Sequence, residues 1–145
     1  MDSPVGHLLI EADAEGICGV RRTELPLADA GTPLLTECTA QLRAYFDGTL
    51  HSFDLPLHLS GTDFQRSAWD ALCRIPYGET RTYGQQASLL GNPKASRAVG
   101  SANHRNPVMI IIPCHRVIGS GGQLTGYAGG LDMKAWLLAH EQAQL

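Results

Sequence analysis

The sequence predicts an α+β protein in which a small N-terminal domain of antiparallel β-sheet and helix precedes a mainly helical domain. In the first part of the chain, short runs of apolar residues alternate with polar ones, as is typical of strands. In the second part, Thr62 and Thr82 are each followed three residues later by Gln, which is a helix-start signal. A linker at residues 60–61 predicts domains at residues 1–59 and 60–145.

The N-terminal domain is predicted to contain three strands and one helix. Residues 7–12 and 17–20 are predicted to pair around a turn rich in Asp, Glu and Gly. Thr32 is predicted to cap a helix that ends near residues 47–48, with an apolar stripe formed by Leu34, Leu35, Cys38, Leu42, Tyr45 and Phe46. Strict alternation over residues 53–59 predicts a third strand, which Pro56 places at a sheet edge. We expect this domain to be a scaffold, because no catalytic pattern stands out in it.

The C-terminal domain is predicted to contain four helices. The apolar face of the first, which begins at Thr62, consists of Phe64, Ala68, Ala71, Leu72 and Ile75. Thr82 is predicted to open a short second helix that ends at Gly91, and Asn92 is predicted to cap a third with Pro93 at its first position. The last helix carries Met133, Trp136, Leu137 and His140 on one face, with Glu141 beside them.

The second and third helices have the spacing of a helix-turn-helix, which is also the spacing of two ordinarily packed helices. The third helix surrounds Arg97 with small residues, namely Ala95, Ser96, Ala98, Gly100, Ser101 and Ala102. Small residues allow close approach either to a narrow surface or to a neighbouring helix. Arginine is suited to phosphate contact and to stacking. The helix is therefore a candidate nucleic-acid surface.

A candidate nucleophile follows an unusual apolar run. Residues 109–112 read Met-Ile-Ile-Ile, which predicts a buried strand that ends at Pro113. Cys114 and His115 come next, and an imidazole can accept the proton that makes a thiol nucleophilic. Glu141 is a candidate for the carboxylate that orients the histidine, or else a solvated residue near a helix end. Taken alone, a Cys-His pair is also compatible with a buried structural cysteine.

Length and composition limit the class of protein. The chain has 145 residues, 43% of them hydrophobic, so it can bury a core. It has no apolar run of membrane-spanning length and no signal-peptide pattern, so we expect a cytoplasmic protein without membrane partners. The four cysteines are widely spaced, which favours reduced thiols and argues against a zinc site.

The charge is distributed unevenly along the chain. Residues 1–63 carry three Arg against ten Asp and Glu, a net charge of −7. Residues 64–145 carry eight Lys and Arg against four acids, a net charge of +4. Such asymmetry favours a polyanionic partner for the second part, although a basic surface can also be merely solvated.

Residues 64–141 resemble the O6-alkylguanine-DNA alkyltransferases, which are suicide DNA-repair proteins. The matching pieces occur in family order and spacing, and they are residues 91–95, 97–100, 106–107, 112–119, 126–130 and 136–141. The resemblance implies a winged-helix-like DNA-binding domain that carries the active-site cysteine. It also implies a partner, double-stranded DNA containing O6-alkylguanine, with O4-alkylthymine as a further candidate lesion. We expect a monomer with no cofactor and no metal, because the Cys/His set that binds zinc in some relatives is incomplete here.

The resemblance also implies catalytic roles. Cys114 would accept the alkyl group, His115 would act as its base through a water molecule, and Glu141 would orient His115. Asn106 would hold the active-site turn together, and Tyr83 would donate a proton to the departing guanine ring.

The resemblance further implies DNA and pocket contacts. Arg97 would fill the gap that a flipped nucleotide leaves, and the other DNA-binding residues would be Lys94, Ala95, Ser96, Gly100, Arg105 and Arg116. The substrate pocket would be lined by Met109, Val117, Thr125, Tyr127, Ala128 and Gly129. Met109 and Thr125 depart from the family pattern, and they would either narrow the pocket or lie in the core and in solvent respectively.

Alkyl transfer to sulfur gives a thioether that no residue here could hydrolyse, so we expect one repair event per protein. Two other classes share some of these features. A Cys-His-Glu hydrolase would turn over an ester or amide and needs an oxyanion hole. In a DNA-binding regulator the cysteine would be incidental or a methylation sensor.

Overall fold

The computed structural model describes residues 1–28 and 31–145, and it has the α+β content that the sequence predicts. The N-terminal elements are β1 (Leu8–Ala12), β2 (Ile17–Arg22) and α1 (Pro33–Phe46). The remaining elements are α2 (Asp63–Cys73), β3 (Arg81–Thr82), α3 (Tyr83–Leu89), α4 (Ser96–His104), a 3₁₀ turn (Cys114–Arg116), β4 (Val117–Ile118) and α5 (Leu131–Ala143). Within the described ranges, no helix is long and apolar enough to cross a membrane.

The N-terminal hairpin and helix form as predicted. Strands β1 and β2 pair antiparallel, with Ile10 opposite Val20. Helix α1 begins after Thr32, whose hydroxyl accepts a hydrogen bond from the Leu35 amide at 3.2 Å. The helix buries Cys38, Leu42 and Tyr45, which share one face at helical spacing. That face packs towards the hairpin, so the apolar stripe becomes core.

The predicted strand at residues 53–59 was wrong. Only Leu57 forms a bridge, and it pairs in parallel with Ile17 at the start of β2. The Pro56 carbonyl accepts from the Ile17 amide at 2.8 Å, and the His58 amide donates to the Ile17 carbonyl at 2.9 Å. Pro56 has no N–H with which to extend such a ladder. The alternating apolar side chains are therefore partly buried, but the segment does not form a strand.

The two predicted capping boxes are both present. In α2 and α3, the Thr hydroxyl accepts from the backbone of the Gln three residues later, and the Gln side chain accepts from the Thr amide. The third helix was placed too early, because α4 begins at Ser96 rather than just after Asn92. Residues 92–95 instead form a separate turn, in which the Ala95 amide donates to the Asn92 carbonyl at 3.0 Å. Phe64 was also misplaced, since it is 38% exposed rather than buried on the face of α2.

The largest correction concerns residues 109–112, which form a buried turn and not a strand. Ile110 has φ of +73°, the one non-glycine residue in the described part of the chain with a positive φ. The Ile111 amide donates to the Met109 carbonyl at 2.8 Å, and the Ile112 amide donates to the Val108 carbonyl at 3.0 Å. A left-handed conformation costs a β-branched residue about 1–3 kcal/mol. The isoleucine run misled the prediction because a buried turn whose backbone groups are bonded buries apolar residues as well as a strand does.

The two parts of the chain share one core. The turn is attached to the N-terminal sheet by a bridge between Val108 and Val20, and the Met109 amide donates to the Val20 carbonyl at 3.0 Å. Buried residues from both parts, including Tyr45, Trp69 and Leu137, belong to a single hydrophobic cluster. The division at residues 59 and 60 therefore stays a prediction.

A histidine between two carboxylates makes the stability of the N-terminal part depend on pH. His58 Nδ1 lies 2.5 Å from Asp13 Oδ2, and its Nε2 lies 3.2 Å from Glu15 Oε2. The hydrogen bond with Asp13 raises the pKa of His58 and lowers the pKa of Asp13. The contribution of His58 to the stability of the protein is fully present below its ordinary pKa of 6.5, and it is lost as pH rises through the raised pKa. The contribution of Asp13 to stability is present above its ordinary pKa of 3.8, and it is lost as pH falls through the lowered pKa.

We expect His58→Gln to lower the melting temperature most at about pH 5 and least above about pH 8, because only the charged imidazole attracts both carboxylates. Thermal unfolding of both proteins across this range measures the effect. The pH dependence should shrink in an Asp13→Asn background. An equal difference at every pH would contradict this electrostatic origin.

Candidate active site

Cys114 lies where the buried turn meets the short 3₁₀ turn. Pro113 has φ −84° and ψ 63°, and the Cys114 amide donates to the Ile112 carbonyl at 2.9 Å. Cys114 is 7% exposed, and its thiol accepts a hydrogen bond from Asn106 Nδ2 at 3.2 Å. Burial raises the pKa of Cys114 to about 11, against the smaller opposing effects of Asn106 and the positive charge of Lys134. The resting thiol is therefore protonated at neutral pH, and it needs a base to react.

Asn106 holds the turn at three points. Besides the thiol, its Nδ2 donates to the Ile112 carbonyl at 2.8 Å, and its Oδ1 accepts from the Val108 amide at 3.0 Å. One buried amide thus joins the entrance of the turn to its exit. This places the sulfur of Cys114 on a fixed backbone.

Glu141, on α5, is a buried carboxylate with five hydrogen-bond donors. Its Oε1 accepts from Arg116 Nε at 2.8 Å and from the Gly78 amide at 3.1 Å. Its Oε2 accepts from His115 Nε2 at 2.6 Å, the Tyr45 hydroxyl at 2.7 Å and Arg116 Nη2 at 3.1 Å. Burial alone would raise the pKa of Glu141, but the hydrogen bonds from His115 and Arg116 outweigh it and hold this pKa well below its ordinary value. The carboxylate is therefore charged.

A charged Glu141 decides the tautomer of His115. Burial lowers the pKa of His115 and outweighs the opposing effect of Glu141, so the imidazole is neutral at neutral pH. A carboxylate only accepts hydrogen bonds, so Nε2 must carry the proton of the neutral ring. Nδ1 is then a free lone pair, and it is buried without a partner among the described residues. The ring is thus prepared to accept a proton.

Two residues of this network differ from the expectations. Arg116 was expected to contact DNA, but it is only 6% exposed and its guanidinium bonds Glu141 and the Ile75 carbonyl, the latter at 2.8 Å. That prediction is corrected, because a guanidinium with these buried partners is not available to a phosphate. Tyr45 was predicted only as part of an apolar stripe in a scaffold, and no local pattern distinguishes its hydroxyl from that of any other core tyrosine.

A loop at residues 125–130 packs against Met109, in the turn that precedes Cys114. Tyr127 is buried, and its hydroxyl has no partner within the described residues. A Cβ added at Gly129 would lie 2.8 Å from Met109 Cε and 2.7 Å from Met133 Sδ, so both methionine side chains pack closely against this glycine and would have to shift. Met109 is therefore a core residue beneath this loop, whereas Thr125 is exposed.

Lys134, which sequence reasoning missed, is a buried cation beside the loop. Its Nζ donates to the Val117 carbonyl at 2.6 Å and to the Thr125 carbonyl at 2.9 Å. The Tyr83 hydroxyl donates to the same Thr125 carbonyl at 3.1 Å. These bonds connect the loop to β4 and α3. Ala128 is exposed on the loop.

The N-terminal part also reaches the loop. Arg22 Nη1 donates to the Gly129 carbonyl at 2.7 Å, and Nε donates to the Val5 carbonyl at 2.7 Å. Its Nη2 lies 2.9 Å from Asp132 Oδ2 at the start of α5. Arg22 therefore links β2 to the loop, and nothing in the local sequence signals this contact.

Helix α4 and the residues that flank it include most of the residues that were predicted to contact DNA. Arg97, Lys94 and Arg105 are exposed, whereas Ser96, Ala95 and Gly100 are half-buried. Gly100 faces the Tyr83 ring, which a Cβ at this position would meet at 3.7 Å. On its inner side the helix is held by Trp69 Nε1, which donates to the Ala102 carbonyl at 2.8 Å, and by the amide pair of Gln86 and Asn103 at 2.7 and 2.9 Å. Arg97 thus lies on a firmly packed helix, and Lys94 and Arg105 flank its two ends.

Two family models match the chain. The model described as the ribonuclease-like domain of 6-O-methylguanine DNA methyltransferase matches residues 1–59. The model described as the DNA-binding domain of the same family matches residues 63–143. A methylated-DNA–protein-cysteine methyltransferase of Methanosarcina barkeri is 53% identical, covering 100% of this chain and 96% of the relative. The protein of the same name from Mycobacterium tuberculosis is 47% identical, with coverages of 99% and 91%.

Solved structures are similar as well. Mycobacterium tuberculosis OGT in complex with DNA has a TM-score of 0.92 and 46% identity, covering 99% of this chain and 91% of that one. Schizosaccharomyces pombe Atl1 in complex with damaged DNA containing O6-carboxymethylguanine has a TM-score of 0.50 and 34% identity, covering 57% of this chain and 79% of that one.

The hydrogen bonds that Asn106 makes within the turn predict that this residue stabilises the protein. We expect Asn106→Ala to lower the free energy of unfolding by about 1–3 kcal/mol, because the buried Val108 amide loses its acceptor. Asn92→Ala serves as control, since Asn92 is exposed, and should change it by less than about 0.5 kcal/mol. Chemical denaturation of the three proteins measures both values, and equal stabilities of all three would contradict the bracing role.

Proposed function

The chain belongs to the 6-O-methylguanine DNA methyltransferase family, and on this premise we propose that it repairs duplex DNA by moving the alkyl group of O6-alkylguanine to Cys114. The observation that carries the proposal is the arrangement of a buried thiol beside a histidine whose Nδ1 is free and whose Nε2 is bonded to Glu141. A protonated thiol and a neutral imidazole are the correct starting states for base-assisted attack.

The reaction is a displacement at carbon. Sγ of Cys114 forms a bond to the alkyl carbon, and the bond from that carbon to O6 breaks, so its electron pair passes to guanine. The thiol proton goes to Nδ1 of His115 through a water molecule, and Glu141 stabilises the imidazolium that forms. Guanine leaves more easily if it is protonated, and Tyr83 is the proposed proton donor. Asn106 holds the sulfur in position throughout.

The lesion must leave the duplex to reach a buried sulfur. Flipping a nucleotide costs a few kcal/mol. Arg97, exposed on α4, is the residue proposed to fill the gap, with Lys94, Ala95, Ser96, Gly100 and Arg105 along the DNA backbone. The flipped base would lie against Val117 and the loop residues Thr125, Tyr127, Ala128 and Gly129, with Met109 beneath the loop.

The product is a thioether, so the protein is consumed by its reaction. The lack of turnover distinguishes this reaction from that of a Cys-His-Glu hydrolase, which would release its product and react again. O4-alkylthymine is a second candidate lesion. We also propose that the protein acts as a cytoplasmic monomer without a cofactor or metal; within residues 1–28 and 31–145 no group of three or more His, Cys, Asp or Glu side chains could hold a metal ion.

The stoichiometry provides a direct test. One equivalent of duplex containing O6-methylguanine should add one methyl mass to Cys114, and further DNA should add none. Intact mass and peptide mapping measure this, with Cys114→Ser as the inactive control. Repeated turnover would favour a hydrolase, and tight DNA binding without any mass change would favour a regulator. Label on Cys18, Cys38 or Cys73 would contradict the assignment of Cys114.

A second test separates flipping from chemistry. We expect Arg97→Ala to slow repair of duplex DNA roughly tenfold or more, and to leave the reaction with free O6-benzylguanine nearly unchanged, because a free base needs no flipping. Single-turnover rates on both substrates give the comparison. Arg21→Ala removes the same charge from the N-terminal hairpin and should affect neither rate. Equal losses on both substrates would mean that Arg97 supports the pocket or the fold.

A further inference from the structure

The N-terminal part supplies a donor to the active-site carboxylate. Tyr45 is on α1, and its hydroxyl donates to Glu141 Oε2 at 2.7 Å across 96 positions of sequence. The same oxygen accepts from His115 Nε2 at 2.6 Å. Arg116 Nη2 also donates to this oxygen at 3.1 Å, so three donors share it, and each of them reduces the negative charge available to the others. We infer that Tyr45 is a positioning residue for alkyl transfer, which holds Glu141 and limits its pull on His115.

The surroundings of Tyr45 fix the direction of its hydroxyl. Its ring packs against Phe53, Tyr77 and His140 at centroid distances of 5.6, 6.1 and 5.3 Å. His140 Nε2 also lies 2.7 Å from the Tyr45 carbonyl, which ties α5 to the end of α1. Burial and the neighbouring Glu141 raise the pKa of Tyr45, so the phenol stays protonated and can only donate to the carboxylate.

Arg116, Lys134 and Tyr77 are the other charged and titratable groups around Tyr45 and Glu141. Arg116, beside His115 in the 3₁₀ turn, bonds both carboxylate oxygens, and Lys134 on α5 opposes a charge on His115. Tyr77, in the loop after α2, has a buried hydroxyl without a partner among the described residues. Tyr45 and the neutral His115 are therefore the uncharged donors on Oε2, and the Tyr45 hydroxyl can be removed without changing the net charge of the site.

Tyr45→Phe keeps the ring and removes the hydroxyl. Oε2 of Glu141 then interacts more strongly with His115, so the imidazolium is stabilised and the imidazole stays protonated to higher pH. A protonated Nδ1 cannot accept the thiol proton. The variant should therefore react more slowly where His115 titrates, and the loss should disappear at alkaline pH.

The inference rests on the proposed function, and its test has two readouts. Single-turnover methyl transfer is measured for wild type, Tyr45→Phe and Tyr77→Phe between about pH 5.5 and 9. We expect Tyr45→Phe to lose about threefold to tenfold on the acid side and to approach the wild-type rate on the alkaline side. Tyr77→Phe also removes one buried hydroxyl and should follow the wild type at every pH. Melting temperatures confirm that the variants are folded.

The second readout needs no substrate. The histidine resonances of the resting protein are titrated by NMR, with His115 assigned by its absence in His115→Gln, and Tyr45→Phe should raise the pKa of His115. Failure of the wild type to transfer an alkyl group would overturn the proposed function and leave this readout intact. An unchanged His115 titration, or a loss that is uniform with pH and shared by Tyr77→Phe, would overturn the positioning role.

Discussion

The structure depends on one buried carboxylate. Removing the charge of Glu141 from water costs several kcal/mol, which must be recovered from hydrogen bonds. Its donors come from α1, the loop after α2 and the 3₁₀ turn, and the carboxylate itself is on α5. Four separate segments must therefore assemble before the charge is stabilised. The same bonds that offset desolvation also orient His115, so stability and reactivity rest on one interaction.

Cys114 is positioned by the buried turn at residues 109–112. Its turn contains Ile110 in a left-handed conformation, which is unfavourable for a β-branched residue. The turn persists because Asn106 bonds it from within and Val20 bonds it from the N-terminal sheet. Backbone strain is thus balanced by buried hydrogen bonds at the point where the nucleophile is placed. A rigid sulfur needs less reorganisation to reach a flipped base.

Burial assigns opposite protonation states to neighbouring groups. It raises the pKa of Cys114 and lowers that of His115, since in both cases the neutral form is favoured in a poorly hydrated site. Glu141 stays charged only because Arg116 and His115 bond it. Burial lowers the pKa of Lys134, which bonds two carbonyls that hold the loop and has no carboxylate partner within residues 1–28 and 31–145. The resting site therefore holds a protonated thiol and a neutral imidazole that can accept a proton.

The sequence by itself determined the hairpin, the caps at Thr32, Thr62 and Thr82, and the placement of a cysteine and a histidine after a proline. These features follow from hydrogen bonds and periodicities that span only a few residues. Tertiary structure alone decided that residues 109–112 form a turn, that Arg116 is buried, and that Tyr45 reaches Glu141. Each of these features depends on which distant segments pack around the residue. Hydrogen bonds between residues 25 to 96 positions apart produce no pattern in the local sequence. Residue type limits what a side chain can bond, but burial against distant partners decides which bond it makes.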